Sequence, residues 1–101
     1  YMRNCKNIGD GGIKSLSTMP NLKVLAIGGG PITDKAIPYL VQMKNLKTLR
    51  IQGCNIHDIG LKQLLRMRSL KAIDVEGCPM TSAAIKQFQL ARPGVDFETS
   101  D

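Results

Sequence analysis

Residues 22–45 (LKVLAIGGGPITDKAIPYLVQMKN), residues 46–69 (LKTLRIQGCNIHDIGLKQLLRMRS) and the stretch from Leu70 (LKAIDVEGCPMTSAAIKQFQLARPG) are one pattern repeated with a period of 24 residues. A period of roughly 20 to 50 residues marks a stacked solenoid, because a single such turn cannot bury its apolar side alone and turns must pile into one continuous core. Apolar residues hold their offsets while their neighbours change. Leu22, Leu46 and Leu70 form one column, followed by Leu25, Leu49 and Ile73, by Ile27, Ile51 and Val75, and by Ile32, Ile56 and Met80. Further along come Ile13, Ile37, Leu61 and Ile85, then Leu16, Leu40, Leu64 and Phe88, then Met19, Met43, Met67 and Ala91.

Within each turn the spacing changes from two to near four. Alternation over 24–27, 48–51 and 72–75 predicts short parallel strands, and the later columns recur at helical spacing. Helices are expected at about 34–43, 58–67 and 82–91, with a shorter one near 10–18. Asp10, Asp34, Asp58 and Ser82 share the column at the helix starts, where such side chains accept bonds from free amides and suit the positive helix end. Pro38 falls in or just beyond a first turn, where its missing N–H costs least. Gly12, Ala36, Gly60 and Ala84 form a small-residue column that lets each helix approach the sheet, and the methionine column reads as flexible core filling.

Written as L-x-x-L-x-I-x-G-C-x-I, residues 46–56 resemble the leucine-rich repeat signature L-x-x-L-x-L-x-x-N/C-x-L. The cysteine option, followed by I-T-D or I-H-D, is most similar to cysteine-containing and ribonuclease-inhibitor-like repeats of the F-box-associated or bacterial-array type. The resemblance covers residues 1–94. It implies an α/β fold: a right-handed leucine-rich-repeat solenoid of about four turns, each a short parallel strand plus a helix, at about 1–21, 22–45, 46–69 and 70–94. Residues 95–101 are expected to add a closing strand and a polar tail, with Phe97 covering the open end of the core. Either Val95 or Phe97 could take the first buried position there, because the Leu-x-x-Leu spacing fails. The polar end from Glu98 to Asp101 is expected to fray.

In this family the residues between buried strand positions project onto a concave face that usually binds a protein partner. The face so implied has the row Tyr1, Ala26, Arg50 and Asp74, the row Arg3, Gly28, Gln52 and Glu76, and the row Val24, Thr48 and Ala72. Ala26 and Gly28 would leave a notch between Tyr1 with Arg3 and Arg50 with Gln52; Tyr and Arg are enriched at interface hot spots. The face runs from basic at Arg3 and Arg50 to acidic at Asp74 and Glu76, and Arg50 and Asp74, as neighbours, could form an exposed salt bridge.

Cys5, Cys54 and Cys78 each occupy the signature's N/C position, where the resemblance implies a structural ladder bonding the loop backbone. A zinc site needs four clustered ligands, which one histidine and three separated cysteines do not supply, so no metal is expected. Buried reduced thiols suit a reducing, intracellular compartment better than an oxidising one.

Other functions fit less well. The net charge of +6, with the columns Lys23, Lys47, Lys71 and Lys44, Arg68, Arg92, raises polyanion binding as an alternative. Cations near helix C-termini are, however, favoured by the dipole anyway, and the absence of aromatic interleaving argues against nucleic acid. Gly28-Gly29-Gly30-Pro31 lacks the Gly-Lys-Ser/Thr ending of a phosphate loop. His57, the one histidine, reads as an exposed helix entry; with no nucleophile and base converging, no enzyme activity and no cofactor are expected. No run approaches the roughly 18 apolar residues of a membrane span.

The first turn carries one residue more between Cys5 and Ile8 than the later turns do, and aligning Cys5 with Cys54 puts Met2 in the Ile27 column. The chain is then expected to start inside a strand, as part of a longer protein. A second alternative follows: these turns are the structural C-terminal cap of a longer solenoid.

Overall fold

The computed structural model describes residues 2–3 (as backbone), 9–19, 21–27 and 31–99. Five parallel strands, β1 (Met2–Arg3), β2 (Val24–Ala26), β3 (Thr48–Arg50), β4 (Ala72–Asp74) and β5 (Asp96–Glu98), lie in sequence order in one sheet. Four helices connect them: α1 (Asp10–Leu16), α2 (Ile37–Val41), α3 (Asp58–Leu64) and α4 (Ser82–Ala91). This is the α/β solenoid expected from the repeat.

β2, β3 and β4 are three residues long where four were expected, but the hydrogen bonding runs on past them. Ile27, Ile51 and Val75 donate their N–H groups to Arg50, Asp74 and Glu98 carbonyls at 2.7, 2.9 and 3.0 Å, so the strand exits stay paired. Gly53 and Gly77 then turn the chain with φ of 66° and 77°, a left-handed conformation costly to any residue with a Cβ. They also stack, since a Cβ on Gly77 would sit 3.4 Å from the Gly53 Cα.

The interior is the set of columns. Leu22, Leu46 and Leu70, the Leu25, Leu49 and Ile73 column, and the Ile13, Ile37, Leu61 and Ile85 column are all exposed 7 % or less. The methionine column splits: Met43 and Met67 are buried, whereas Met19 is 50 % exposed and Ala91 is exposed. The small-residue column also acts differently from expectation. A Cβ on Gly60 would collide with the Asp34 carboxylate and with Ile56 and Ile37, so the close approach is to the preceding turn rather than to the sheet alone.

Two expected helices are shorter than the pattern suggests. Residues 34–43 divide into a 3-10 turn (Asp34–Ala36) and α2, ending at Val41. Pro38 has no N–H for the Asp34 carbonyl, and Ala36 instead bonds Thr33 and Ile37 bonds Asp34 in the tighter i to i−3 pattern. α3 stops at Leu64 rather than Met67, its end tightened by similar short-range bonds from Arg66 to Gln63 and Met67 to Leu64. α4 runs over the expected 82–91.

The first strand is out of register with the expectation by two residues. Met2 pairs with Leu25 and Arg3 with Ala26, not with Ile27 and Gly28. A two-residue shift keeps every side chain on the same face, so apolar alternation does not detect it. At the other end Phe97 pairs with Ile73 and takes the first buried column, its ring 5.3 Å from that of Phe88. Glu98, expected to fray, is held in β5 opposite Asp74.

Leu49 lies in the central strand and is fully buried. Leu49→Ala is expected to cost about 2–5 kcal/mol of stability in urea denaturation; a change below about 1 kcal/mol would mean the stack does not depend on its central column.

Candidate functional site

The register defines the rows of the sheet face. Val24, Thr48, Ala72 and Asp96 lie abreast, as do Ala26, Arg50, Asp74 and Glu98, with Arg3 beside Ala26. Val24, Ala26, Thr48 and Ala72 are half-buried, and Arg50, Asp96 and Glu98 are exposed. Gln52 and Glu76 are exposed too, but in the turns leaving β3 and β4 rather than in the strands. Tyr1, Gly28 and Cys5 lie outside the described residues, as does the Arg3 side chain, so the notch expected beside Ala26 lies largely outside them.

Asp74 departs from expectation. Although Arg50 and Asp74 are opposite one another, no salt bridge joins them among the described residues. Asp74 is only 2 % exposed. It accepts from Gln52 Nε2 at 2.5 Å and from the Glu76 N–H at 3.1 Å. A carboxylate withdrawn from water needs such donors, and the Gln52 amide, reaching from the adjacent turn, supplies one while Arg50 stays in solvent.

Asp96 and Glu98 extend the face beyond the residues expected from the sequence. With the Leu-x-x-Leu spacing lost, the sign was the alternation Val95-Asp96-Phe97-Glu98 after a helix-ending Pro93-Gly94. Asp74, Glu76 and Glu98 bring carboxylate oxygens within 4.8 Å of one another. All-oxygen sets suit hard cations, but Asp74 is already engaged by its hydrogen bonds, and exposed acidic groups often cluster without an ion.

Polar bonds between turns account for most of the other residues singled out by their spacing. The aspartate column does not cap its own helices. Asp10 accepts from Thr33 N–H at 2.8 Å and Thr33 Oγ1 at 2.6 Å. Asp34 accepts from His57 N–H at 2.9 Å and meets His57 Nδ1 at 3.0 Å. Asp58 accepts from Thr81 N–H at 2.7 Å and Thr81 Oγ1 at 2.8 Å. Each carboxylate therefore bonds the entry of the next helix. Thr33 and Thr81 do the capping, accepting from Lys35 N–H and Ala84 N–H. His57 is exposed and belongs to this ladder.

The thiols and the last arginine also join turns. Cys54 Sγ lies 3.9 Å from the Ile27 carbonyl, and Cys78 Sγ donates to that of Ile51 at 2.9 Å. Arg92, grouped by spacing with Lys44 and Arg68, reaches the carbonyls of Leu65, Met67, Arg68 and Leu70. It closes the end of the α3 turn, which removes it from the basic column.

Two titrations follow. Hydrogen bonds from Thr81 hold the Asp58 carboxyl below its ordinary 3.8. The bond therefore stabilises the fold fully above that value and ceases to do so as pH falls through the lower native one. Asp58→Asn is expected to lower the Tm at pH 7, with the gap from wild type closing as pH falls below about 3.8; a pH-independent gap would contradict the ladder. Burial pushes the Cys78 thiol up to about 11. Iodoacetamide at pH 8 is expected to leave Cys78 unmodified in native protein and to alkylate it in urea; rapid native alkylation at Cys78 would overturn this placement.

Residues 42–65 match a family model described as a leucine rich repeat. No curated protein matches the chain. No helix among the described residues is long and apolar enough to cross a membrane. Repeats of this kind generally mediate protein–protein interaction and are typically non-enzymatic. The match spans one period, and that period recurs through a sheet of parallel strands and stacked helices, so the chain folds as a leucine-rich-repeat α/β solenoid.

Proposed function

We propose that this solenoid is a protein-recognition module that binds its partner through the concave parallel sheet. The observation behind this reading is the row Ala26, Arg50, Asp74 and Glu98, in which a regular backbone presents a small, a basic and an acidic side chain around the buried Asp74. Beside it runs the smoother row Val24, Thr48 and Ala72. Arg50 is exposed and among the described residues makes no ion pair, which leaves its guanidinium available for a partner's carboxylate or aromatic ring. Tyr1, Arg3, Gly28, Gln52 and Glu76 complete the proposed face. Residues 1–94 form the solenoid in this reading and 95–101 its closing strand and tail.

We place the chain in the cysteine-containing branch of the repeat family; the thiol of Cys78 bonded to the preceding turn supports that. Reduced thiols of this kind fit an intracellular setting. Polyanion binding through the Lys44, Arg68 and Arg92 column loses support because Arg92 is occupied by four carbonyls; the exposed Lys23, Lys47 and Lys71 column keeps that reading as the alternative.

The test is affinity capture from source-cell lysate with the wild-type protein and with Arg50→Glu. Gln52 is a poorer probe, because Gln52→Glu would set a second carboxylate against buried Asp74. The expected result is a captured protein whose binding weakens at least about tenfold in the variant. Equal capture by both proteins would remove the concave face from the reading.

A further inference from the structure

The helical side carries a second surface, independent of the concave reading. A groove of about 410 Å³ runs between α3 and α4, at the small end of the ~300–1,000 Å³ typical of binding sites. Buried Leu61 and Phe88 lie at its floor, with Ile59 on one side and Ala83 and Ala84 on the other. The column that holds Ile59 carries Gly11, Lys35 and Ala83 in the other turns, and Ala83 leaves the last helix without a side chain long enough to fill the space beside Ile59. Ile59 is 62 % exposed; Leu90, seven residues after Ala83 and so on the same side of α4, is 73 % exposed.

The exposed charges on the described helices and the 3-10 turn have one sign. Outside the aspartate ladder, every charged residue in the described helices and the 3-10 turn is a lysine: Lys14, Lys35, Lys62 and Lys86. Lys62 lines the groove and makes no ion pair among the described residues. The groove's one lining carboxylate, Asp58, has both oxygens engaged by Thr81. Apolar walls and an unpaired cation require an occupant that is apolar in the middle and acidic at its flank.

We infer that the α3–α4 groove docks a short amphipathic helix whose apolar anchors are flanked by carboxylates. The 7 residues of α3 and 10 of α4 span about 10 and 15 Å at 1.5 Å per residue. That accommodates about two turns of a partner helix, with anchors at i and i+4. Lysines beside Ile59 and Leu90 would also suit an anionic bilayer, but a flat lipid surface cannot fill a concave groove, and a helical ridge can.

The probe is a fluorescent amphipathic peptide of about 14 residues with leucines at i, i+4 and i+7 and glutamates beside them, compared with a twin carrying lysines for the glutamates. The glutamate peptide is expected to bind at least about tenfold more tightly than its twin, a preference that falls with salt. Lys62→Glu reverses that ranking, Ile59→Asp weakens the glutamate peptide about tenfold or more, and Arg50→Glu on the opposite face changes nothing. Ile59 and Lys62 are both exposed, and circular dichroism verifies that each variant stays folded. The inference is overturned if neither peptide binds, if the twins bind alike, or if Lys62→Glu leaves the ranking as it was. Recruitment to phosphatidylserine vesicles without peptide binding also overturns it and gives the surface to lipid.

Discussion

No 24-residue turn of this chain can bury its own apolar columns, and everything else in the structure depends on the contact between one turn and the next. Leu25, Leu49 and Ile73 are covered because their strands lie side by side, and Ile37, Leu61 and Ile85 because their helices do. Polar bonds follow the same seam at several heights. Backbone N–H groups cross at the strands, thiols donate at the strand exits, carboxylates accept at the helix entries, and Ser69 with Arg92 bonds carbonyls near the turns' ends. Each of these bonds joins groups roughly one period apart, so repetition of sequence becomes repetition of contact.

Repetition also explains how much could be read in advance. The core columns and strand positions were legible because they recur in several turns, which separates a constraint from coincidence. The aspartate ladder was visible only as a helix-start column, since its partners Thr33, His57 and Thr81 stand 23 residues on, one short of the period. Burial of Asp74 was not legible at all. It depends on the Gln52 side chain reaching across adjacent turns, and side-chain reach leaves no periodic trace. The edges failed for a different reason: Met19 and Ala91 occupy the methionine column but are exposed, and a two-residue slide of β1 leaves the period-two pattern unchanged.

The charges are divided between frame and surface. Of the 8 acidic residues, Asp10, Asp34 and Asp58 join turns, while Asp74, Glu76, Asp96 and Glu98 gather at one end of the sheet. The described helices carry lysines outside the ladder. A net charge of +6 is thus an average over an acidic sheet end and a basic helical side, and it describes neither surface on which recognition is proposed. Fold alone does not assign a partner; the exposed charges, Arg50, Glu76, Asp96 and Glu98 on the sheet side and the lysines on the helices, are where specificity can reside.

The central claim is that the turns are stable only together. Native-state hydrogen exchange with increasing denaturant tests it at the amides of Ile27, Ile51 and Val75, which donate from the exits of β2, β3 and β4 to the following strand. Stacking predicts that the three merge into one isotherm at the global unfolding free energy. Three separate isotherms that persist up to the unfolding transition would show turns that hold themselves together, and would contradict the account.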